Sequence, residues 1–210
     1  MDPPWSGWIQ TTGDALLILE AARQGLIPRV TRRLVDSERK MIDSGSVFVF
    51  DEEESGIRRW TDGYNWSPSR ILGNFMLYRE VGSRRRRKNA QGAAQEQDEM
   101  DDSSVGEDNP AARALLGSLL TSTSTSLQFK PNGLIKKSFS VTINGVPQHL
   151  ISYYRIPDVL SGRLRTPSSL PELVSLSISD EYLDKVHFRI PPKIELDVNG
   201  HRMYRGEADD

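Results

Sequence analysis

The chain has 210 residues, of which 37% are hydrophobic and 27% charged, with a formal net charge of −2 and no cysteine. That length fits one domain with tails or two small modules, and the missing cysteine excludes disulfides, thiolate zinc sites and cysteine nucleophiles and points to a reducing compartment. No apolar run approaches the roughly 20 residues of a membrane span, and the opening Met-Asp-Pro-Pro-Trp lacks the basic and apolar regions of a signal peptide, so no membrane partner is expected.

Residues 13–26 predict an amphipathic helix, with Asp14 as N-cap, Ala15, Ile18, Leu19 and Ala22 at helical spacing, and Gly25 as the stop. Pro28 breaks the chain, and Asp36 can cap a second short helix over 37–42. Ser46–Phe50 is a strand by composition. Residues 51–55 form an acidic turn, and Ile57–Trp60 reads as the return strand of a hairpin that ends at Asp62-Gly63. Ser67-Pro68-Ser69-Arg70 is a turn or helix start, and Phe75–Arg79 is another strand.

Composition then changes. Arg84–Lys88 is a purely basic run, and residues 96–108 carry seven acids and no base. We expect a flexible linker over 82–128. Order resumes at Phe129, and residues 134–143 alternate in part up to the hairpin signal Asn144-Gly145. Residues 148–154 are the partner strand, 156–160 a short helix or turn, 162–167 a basic loop, and 171–184 a candidate helix. Residues 186–210, with Pro191-Pro192 and an acidic end, read as a poorly ordered tail.

Enzyme chemistry finds little support. His149, His187 and His201 stand in no metal-ligand or nucleophile spacing, and no phosphate-binding glycine loop is present. No cofactor, metal or small-molecule substrate is implied. His149 lies inside a predicted strand, where a satisfied structural histidine is the commoner role.

Residues 55–79 are the most unusual stretch. They hold Arg58, Arg59, Arg70, Arg79, Trp60 and Trp66, with Asp62 as the only acid. Planar cations, small donors and rigid turns together suit phosphate and base contacts. Arg58 and Arg59 fall on opposite faces of the predicted strand. Either can enter a DNA groove, since a weakly hydrated guanidinium suits a narrow minor groove. Either can instead pair with Glu52–Glu54, and spacing leaves the two readings equal. Trp60 and Trp66 can stack on bases, though anchoring a loop is the commoner role, and Asp62 is expected to brace its turn. Ser67, Ser69 and Arg70 can meet a phosphate at a helix N-terminus, with simple capping the alternative for Ser67. Lys136 and Lys137 are either charge protecting an exposed strand edge or phosphate contacts. Arg163 and Arg165 raise the same choice. Arg84–Lys88 reads as a nuclear-localisation or polyanion-binding run. Arg58-Arg59-Trp60-Thr61 also carries the Arg-Arg-x-Thr pattern of basophilic kinases, which makes Thr61 a candidate phosphorylation site.

Several stretches together carry a resemblance: Gln24-Gly25-Leu26-Ile27-Pro28-Arg29-Val30-Thr31-Arg32-Arg33-Leu34, Ser44–Phe50, Arg59-Trp60-Thr61-Asp62-Gly63 with Trp66-Ser67-Pro68-Ser69-Arg70, and Gly133-Leu134-Ile135-Lys136-Lys137 through Ser152-Tyr153-Tyr154. Over residues 8–80 and 129–166 the chain resembles the WOPR-domain family of fungal transcriptional regulators. The resemblance implies an α+β fold. Two sequence modules, 8–81 and 129–185, fold together around a shared antiparallel β-sheet with a few short helices, the linker 82–128 lies between them, and the tail 186–210 follows. It also implies specific binding to double-stranded DNA, with an arginine from the first module in the minor groove of an A/T-rich site. Arg58 and Arg59 both fall in the matching region.

The expectation is therefore a nuclear, non-enzymatic transcription regulator. Its DNA contacts would come from Arg58, Arg59, Thr61, Ser67, Ser69, Arg70, Lys136, Lys137, Arg163 and Arg165, and its other partners would be transcription factors or co-regulators. The competing readings are a protein-interaction co-regulator that keeps the fold without specific DNA binding, and an RNA binder using Trp60, Tyr64 and Trp66.

Overall fold

The computed structural model describes residues 4–82, 110–111, 114 and 129–207. Its centre is a six-stranded antiparallel sheet. The strands are β1 (Trp5–Ser6), β2 (Ser46–Asp51), β3 (Arg70–Leu72), β4 (Phe75–Arg79), β5 (Ile135–Ile143) and β6 (Val146–Tyr154), in the spatial order β1-β2-β6-β5-β4-β3. The β5–β6 hairpin of the second module thus sits between β2 and β4 of the first. Neither module can complete the sheet alone. The α+β architecture with one shared antiparallel sheet is as expected. The linker expected over 82–128, with Arg84–Lys88 and the acidic run, falls almost entirely outside the described residues.

The β5–β6 turn follows from its two residues. Asn144 and Gly145 both take positive φ, 51° and 81°, the left-handed pair that a two-residue hairpin needs. Register then follows through Phe139↔Leu150 and Lys137↔Ser152.

Alternation along the strands divides the core between two faces. Val47, Val49, Phe139, Val141, Ile143 and Leu150 pack on one face against helix α1 (Thr12–Arg23) and residues 170–188. Phe48, Phe50, Ile151 and Tyr153 pack on the other against Val30, Leu34, Ile42 and Ile57, under a cover of Trp60, Tyr64 and Trp66.

Helix α1 starts three residues earlier than its sequence cap suggests. Thr11 is the N-cap and accepts the Asp14 N–H, while the Asp14 carboxylate reaches back to the Thr11 N–H, a reciprocal capping box. Asp14 is the third helical residue, and it also accepts the Ser168 N–H at 2.9 Å. The helix stops as expected at Gly25, φ 76°. The short helices α2 (Asp36–Arg39), α3 (Glu52–Ser55), α4 (Ile156–Leu160) and α5 (Pro171–Val174) serve as connections.

Four expectations are corrected. The acidic turn over 51–55 is the last residue of β2 followed by the helical turn α3, which Asp51 caps by accepting the Glu53 and Glu54 N–H groups. Ile57–Trp60 is not a strand, because the edge of β2 it would occupy is taken by β6, about a hundred residues away. The helix over 171–184 is two separate turns, α5 and a 3-10 turn at Asp180–Leu183, joined by an extended stretch. The tail at 186–210 contains an antiparallel hairpin, β7 (Pro192–Leu196) with β8 (Arg202–Glu207). Tyr204 of β8 docks on the first turn of α1, where a Cβ on Gly13 would stand 2.7 Å from its ring. Asn74 ties the preceding segment down, accepting the Ile190 N–H at 2.7 Å and donating to its carbonyl.

Candidate nucleic-acid interface

Residues 57–66 form a loop laid across the second face of the sheet, and its exposure alternates. Trp60, Asp62, Tyr64 and Trp66 turn inward, and Arg59, Thr61, Gly63 and Asn65 turn out to solvent, as does Arg58. The inward aromatics dock on the core. Trp60 stacks on Phe50 at 5.3 Å between ring centroids, and Trp66 lies 6.0 Å from Tyr153. Both tryptophans therefore anchor the loop, so neither offers a free ring face there as a platform for single-stranded bases.

Asp62 is the centre of this loop. It is 5% exposed, and its carboxylate accepts four kinds of donor. These are the Tyr64 N–H at 3.0 Å, the Trp66 indole N–H at 3.0 Å to each oxygen, the Tyr153 hydroxyl at 2.7 Å and the Lys136 ammonium at 3.5 Å. Tyr153 in turn accepts the Trp60 indole N–H at 2.6 Å. A buried carboxylate is tolerated only when its lone pairs are satisfied, and here two donors lie on the loop and two on the sheet beneath it. Burial pushes the Tyr153 hydroxyl pKa far up, and Asp62 beside it adds to the rise. Burial pushes the Lys136 ammonium down, and Asp62 opposes that shift. Asp62 braces its turn, as its sequence context suggested, and it also joins the first module to Lys136 and Tyr153 of the second. That part was invisible in the sequence, since the partners lie some 75 to 90 residues away.

Arg58 and Arg59 make no ion pair with any described residue. Two of the three acids weighed against them are engaged elsewhere, Glu54 with Arg29 at 3.1 Å and Glu52 with His149 at 2.9 Å. His149 also meets the Ser140 hydroxyl and stacks on Phe50, so it is a satisfied structural histidine. Thr61 is exposed two residues beyond Arg59, and Asn65 joins the outward row. Period-two alternation is the signal that picks out Asn65, once the inward aromatics are recognised.

Other candidates are placed differently. Ser67 is buried, accepting the Arg79 N–H and donating to the Pro68 carbonyl, so it braces the bridge between Trp66 and Glu80. No helix begins at Ser67, and the phosphate-binding helix N-terminus proposed there is absent. Ser69 and Arg70 are half-buried beside and within edge strand β3, with the Arg70 guanidinium on the Ser69 carbonyl at 3.0 Å.

Lys136 and Lys137 are corrected outright. They are neither an exposed edge nor open phosphate contacts, because β5 is a central strand with both faces covered. Lys136 is 9% exposed and lies over the Trp66 and Tyr78 rings at 4.7 and 4.6 Å. Lys137, 4% exposed on the opposite face, donates to the Ile9 and Gln10 carbonyls at 2.9 and 3.0 Å and sits over Phe75. Burial lowers its pKa to about 8, against the raising influence of Asp14 and Glu207.

Arg163 and Arg165 are exposed beyond α4. Arg163 pairs with Asp158 at 3.2 Å, and the Arg165 carbonyl accepts the Trp8 N–H. The turn at 42–44 bridges toward the loop. The Tyr64 hydroxyl donates to the Ile42 carbonyl, and Asp43 pairs with Arg155. Burial raises the Asp43 carboxyl, but the Ser44 N–H, Arg155 and Arg163 outweigh it and leave the pKa below the usual range.

Known proteins resemble this chain. The chain is 42% identical over 229 residues to the global transcription regulator FGP1 of Gibberella zeae, covering 96% of this chain and 65% of that protein. It is 42% identical over 188 residues to the cAMP-independent regulatory protein pac2 of Schizosaccharomyces pombe, covering 83% of this chain and 79% of that one. The chain thus spans just under two thirds of the length of the Gibberella regulator. Among solved structures, it resembles the WOPR domain of Wor1 from Candida albicans in complex with 13 bp double-stranded DNA. That match has a TM-score of 0.60 and 30% identity, over 87% of this chain and 94% of the other. Residues 4–155 match the Gti1/Pac2 family. By that match and these identities, the chain belongs to the Gti1/Pac2 family of WOPR-domain regulators.

Proposed function

We propose that the chain is a nuclear, sequence-specific double-stranded DNA-binding transcription regulator, without enzymatic activity. Arg58 or Arg59 enters the minor groove of an A/T-rich site. Thr61 and Arg70 lie on the same loop and its adjoining edge strand, and Arg163 and Arg165 contribute phosphate contacts from the second module. Lys136 and Lys137 act from below, by holding the frame.

The observation that carries this reading is the loop at 57–66. Two exposed arginines without ion-pair partners among the described residues stand on a backbone held by a buried carboxylate. Arginines in a protein's own ion pairs must exchange them for phosphate or base contacts, whereas these two need not. Support also comes from the solved relative, which was captured on duplex DNA. An A-tract minor groove concentrates negative potential and favours a weakly hydrated guanidinium.

Fluorescence anisotropy with an A/T-containing site selected from a random duplex pool, against a scrambled duplex, tests the proposal. Arg59→Ala and Arg58→Ala are compared. The arginine that inserts should cost about tenfold or more on the selected site and far less on the scrambled one. Equal loss on both duplexes reduces it to a phosphate contact. Phosphate on Thr61 adds about −1.5 to −2 charge to the row and should weaken binding. A Thr61→Glu variant that binds as tightly as wild type would remove Thr61 from the interface.

A further inference from the structure

We infer that Asp62, through Tyr153 and Lys136, is a positioning residue for DNA reading: it makes the pose of the arginine loop conditional on the second module. This rests on the proposal that Arg58 or Arg59 reads the groove.

The inference comes from where the loop's restraints lie. Between buried Ile57 and buried Ser67 the loop has no strand or helix of its own. Its side-chain anchors are Trp60, Asp62, Tyr64 and Trp66. Three of these converge on one carboxylate or its immediate partner: Trp66 donates to Asp62, the Tyr64 N–H donates to Asp62, and Trp60 donates to Tyr153, whose hydroxyl donates to Asp62. Tyr64 has an additional hydrogen bond elsewhere, from its hydroxyl to the Ile42 carbonyl, and Trp60 also stacks on Phe50. The remaining two groups on Asp62, Tyr153 and Lys136, belong to β6 and β5 of the second module. They face each other across the hairpin in register, Lys136↔Tyr153.

The arrangement therefore relays position. The β5–β6 hairpin presents a hydroxyl and an ammonium side by side, Asp62 meets both, and the loop closes around Asp62. Arg59 and Thr61 project outward from the backbone on either side of Trp60, three residues and one residue from Asp62. A hydrogen bond to a charged group is directional and stronger than a neutral one, so losing this set frees the loop before it melts the sheet. A guanidinium displaced by about an ångström loses groove complementarity while keeping its general attraction to phosphate. The signature of a positioning role is thus lost discrimination with retained electrostatics.

The test uses the full chain. Asp62→Asn and Tyr153→Phe are each measured alone and in the Arg58→Ala/Arg59→Ala background, on selected and scrambled duplexes across a salt series. Amide hydrogen exchange follows in parallel. Asp62→Asn should lose about tenfold on the selected site, change the scrambled duplex by less than about twofold, and leave the salt slope unchanged. Tyr153→Phe should show the same pattern at about three- to fivefold, and it keeps the inference testable if Asp62→Asn does not fold. Exchange should rise over 57–66 and stay slow in β5 and β6. In the arginine-free background neither variant should weaken binding further. Equal loss on both duplexes, additive loss without the arginines, or wild-type discrimination by a folded variant would overturn the inference. If the double arginine variant alone leaves selected-site binding unchanged, the groove-reading proposal itself fails, whatever Asp62 does.

Discussion

Two buried carboxylates, one on each face of the sheet, solve the same chemical problem for different ends. Glu20 on α1 is fully buried and accepts Arg23, Gln24 and both the N–H and hydroxyl of Ser179. Asp62, nearly as buried, accepts Tyr64, Trp66, Tyr153 and Lys136. Both tie distant parts of the chain together. What they hold differs. Glu20 fixes the segment at 179, part of a layer that continues into the β7–β8 hairpin and closes the α1 face. Asp62 fixes a loop whose outward face carries Arg58 and Arg59, which have no ion-pair partner among the described residues. A carboxylate ringed by donors is thus a general fastener, and the exposed side chains on the fastened segment determine whether it serves stability or recognition.

The comparison predicts that the two faces separate in experiment. Glu20→Ala removes the acceptor of Arg23, Gln24 and Ser179, donors that are exposed or half-buried, and should cost about 1–2 kcal/mol of stability. Chemical denaturation would read this, while duplex affinity of the folded protein stays within about twofold of wild type. A large affinity loss would mean that the α1 face reaches the interface.

Glu20 also sets an acid limit. Burial raises its carboxyl, but the bonds from Arg23, Gln24 and Ser179 outweigh that and bring the pKa from 4.5 to about 2. A carboxyl depressed in the folded state stabilises fully above its unfolded pKa, and that contribution is lost as pH falls toward 2. Thermal stability should therefore decline between about pH 5 and pH 2 in wild type, and more shallowly in Glu20→Gln. Parallel curves would assign the acid sensitivity to other groups.

The lysines sharpen the contrast from the other side. Each phosphate neutralised contributes about 0.9 to the salt slope of log affinity. Arg165→Ala should flatten that slope by about this amount, and Lys137→Met should leave it unchanged while lowering stability. A flatter slope for Lys137→Met would restore it as a phosphate contact.

This lysine pair marks the boundary of what was legible. Residues 134–143 read correctly as a strand, and Asn144-Gly145 located its turn, because both signals are local. The neighbours of that strand are not local. Insertion of β5–β6 between β2 and β4 covers both faces, so consecutive lysines point into opposite cores. From sequence alone the same pair reads as a charged edge or as phosphate contacts. Ile57–Trp60 was misread for the same reason, since its expected partner β2 pairs instead with β6. The inward tryptophans were legible as the commoner role of loop aromatics, whereas strand alternation put Arg58 and Arg59 on opposite faces and the structure exposes both; the partners of Asp62 were not legible. The C-terminal hairpin hid behind Pro191-Pro192 and polar composition, with Tyr204 and Gly13 supplying a contact that no short pattern announces.

The smallest effect belongs to that contact. Gly13→Ala improves helix propensity by about 1 kcal/mol while driving a Cβ into the Tyr204 ring. Net stability should change little, while amide exchange in β8 rises. Unchanged exchange would show that the ring shifts without loosening the hairpin.

The central claim is that the loop at 57–66 reads DNA through an arginine. Its most direct test is the ratio of affinities for the selected A/T-containing duplex and its scrambled counterpart, measured for wild type and for Arg58→Ala/Arg59→Ala at one salt concentration. The account predicts that the ratio collapses toward one in the variant while the protein stays folded. An unchanged ratio would contradict it.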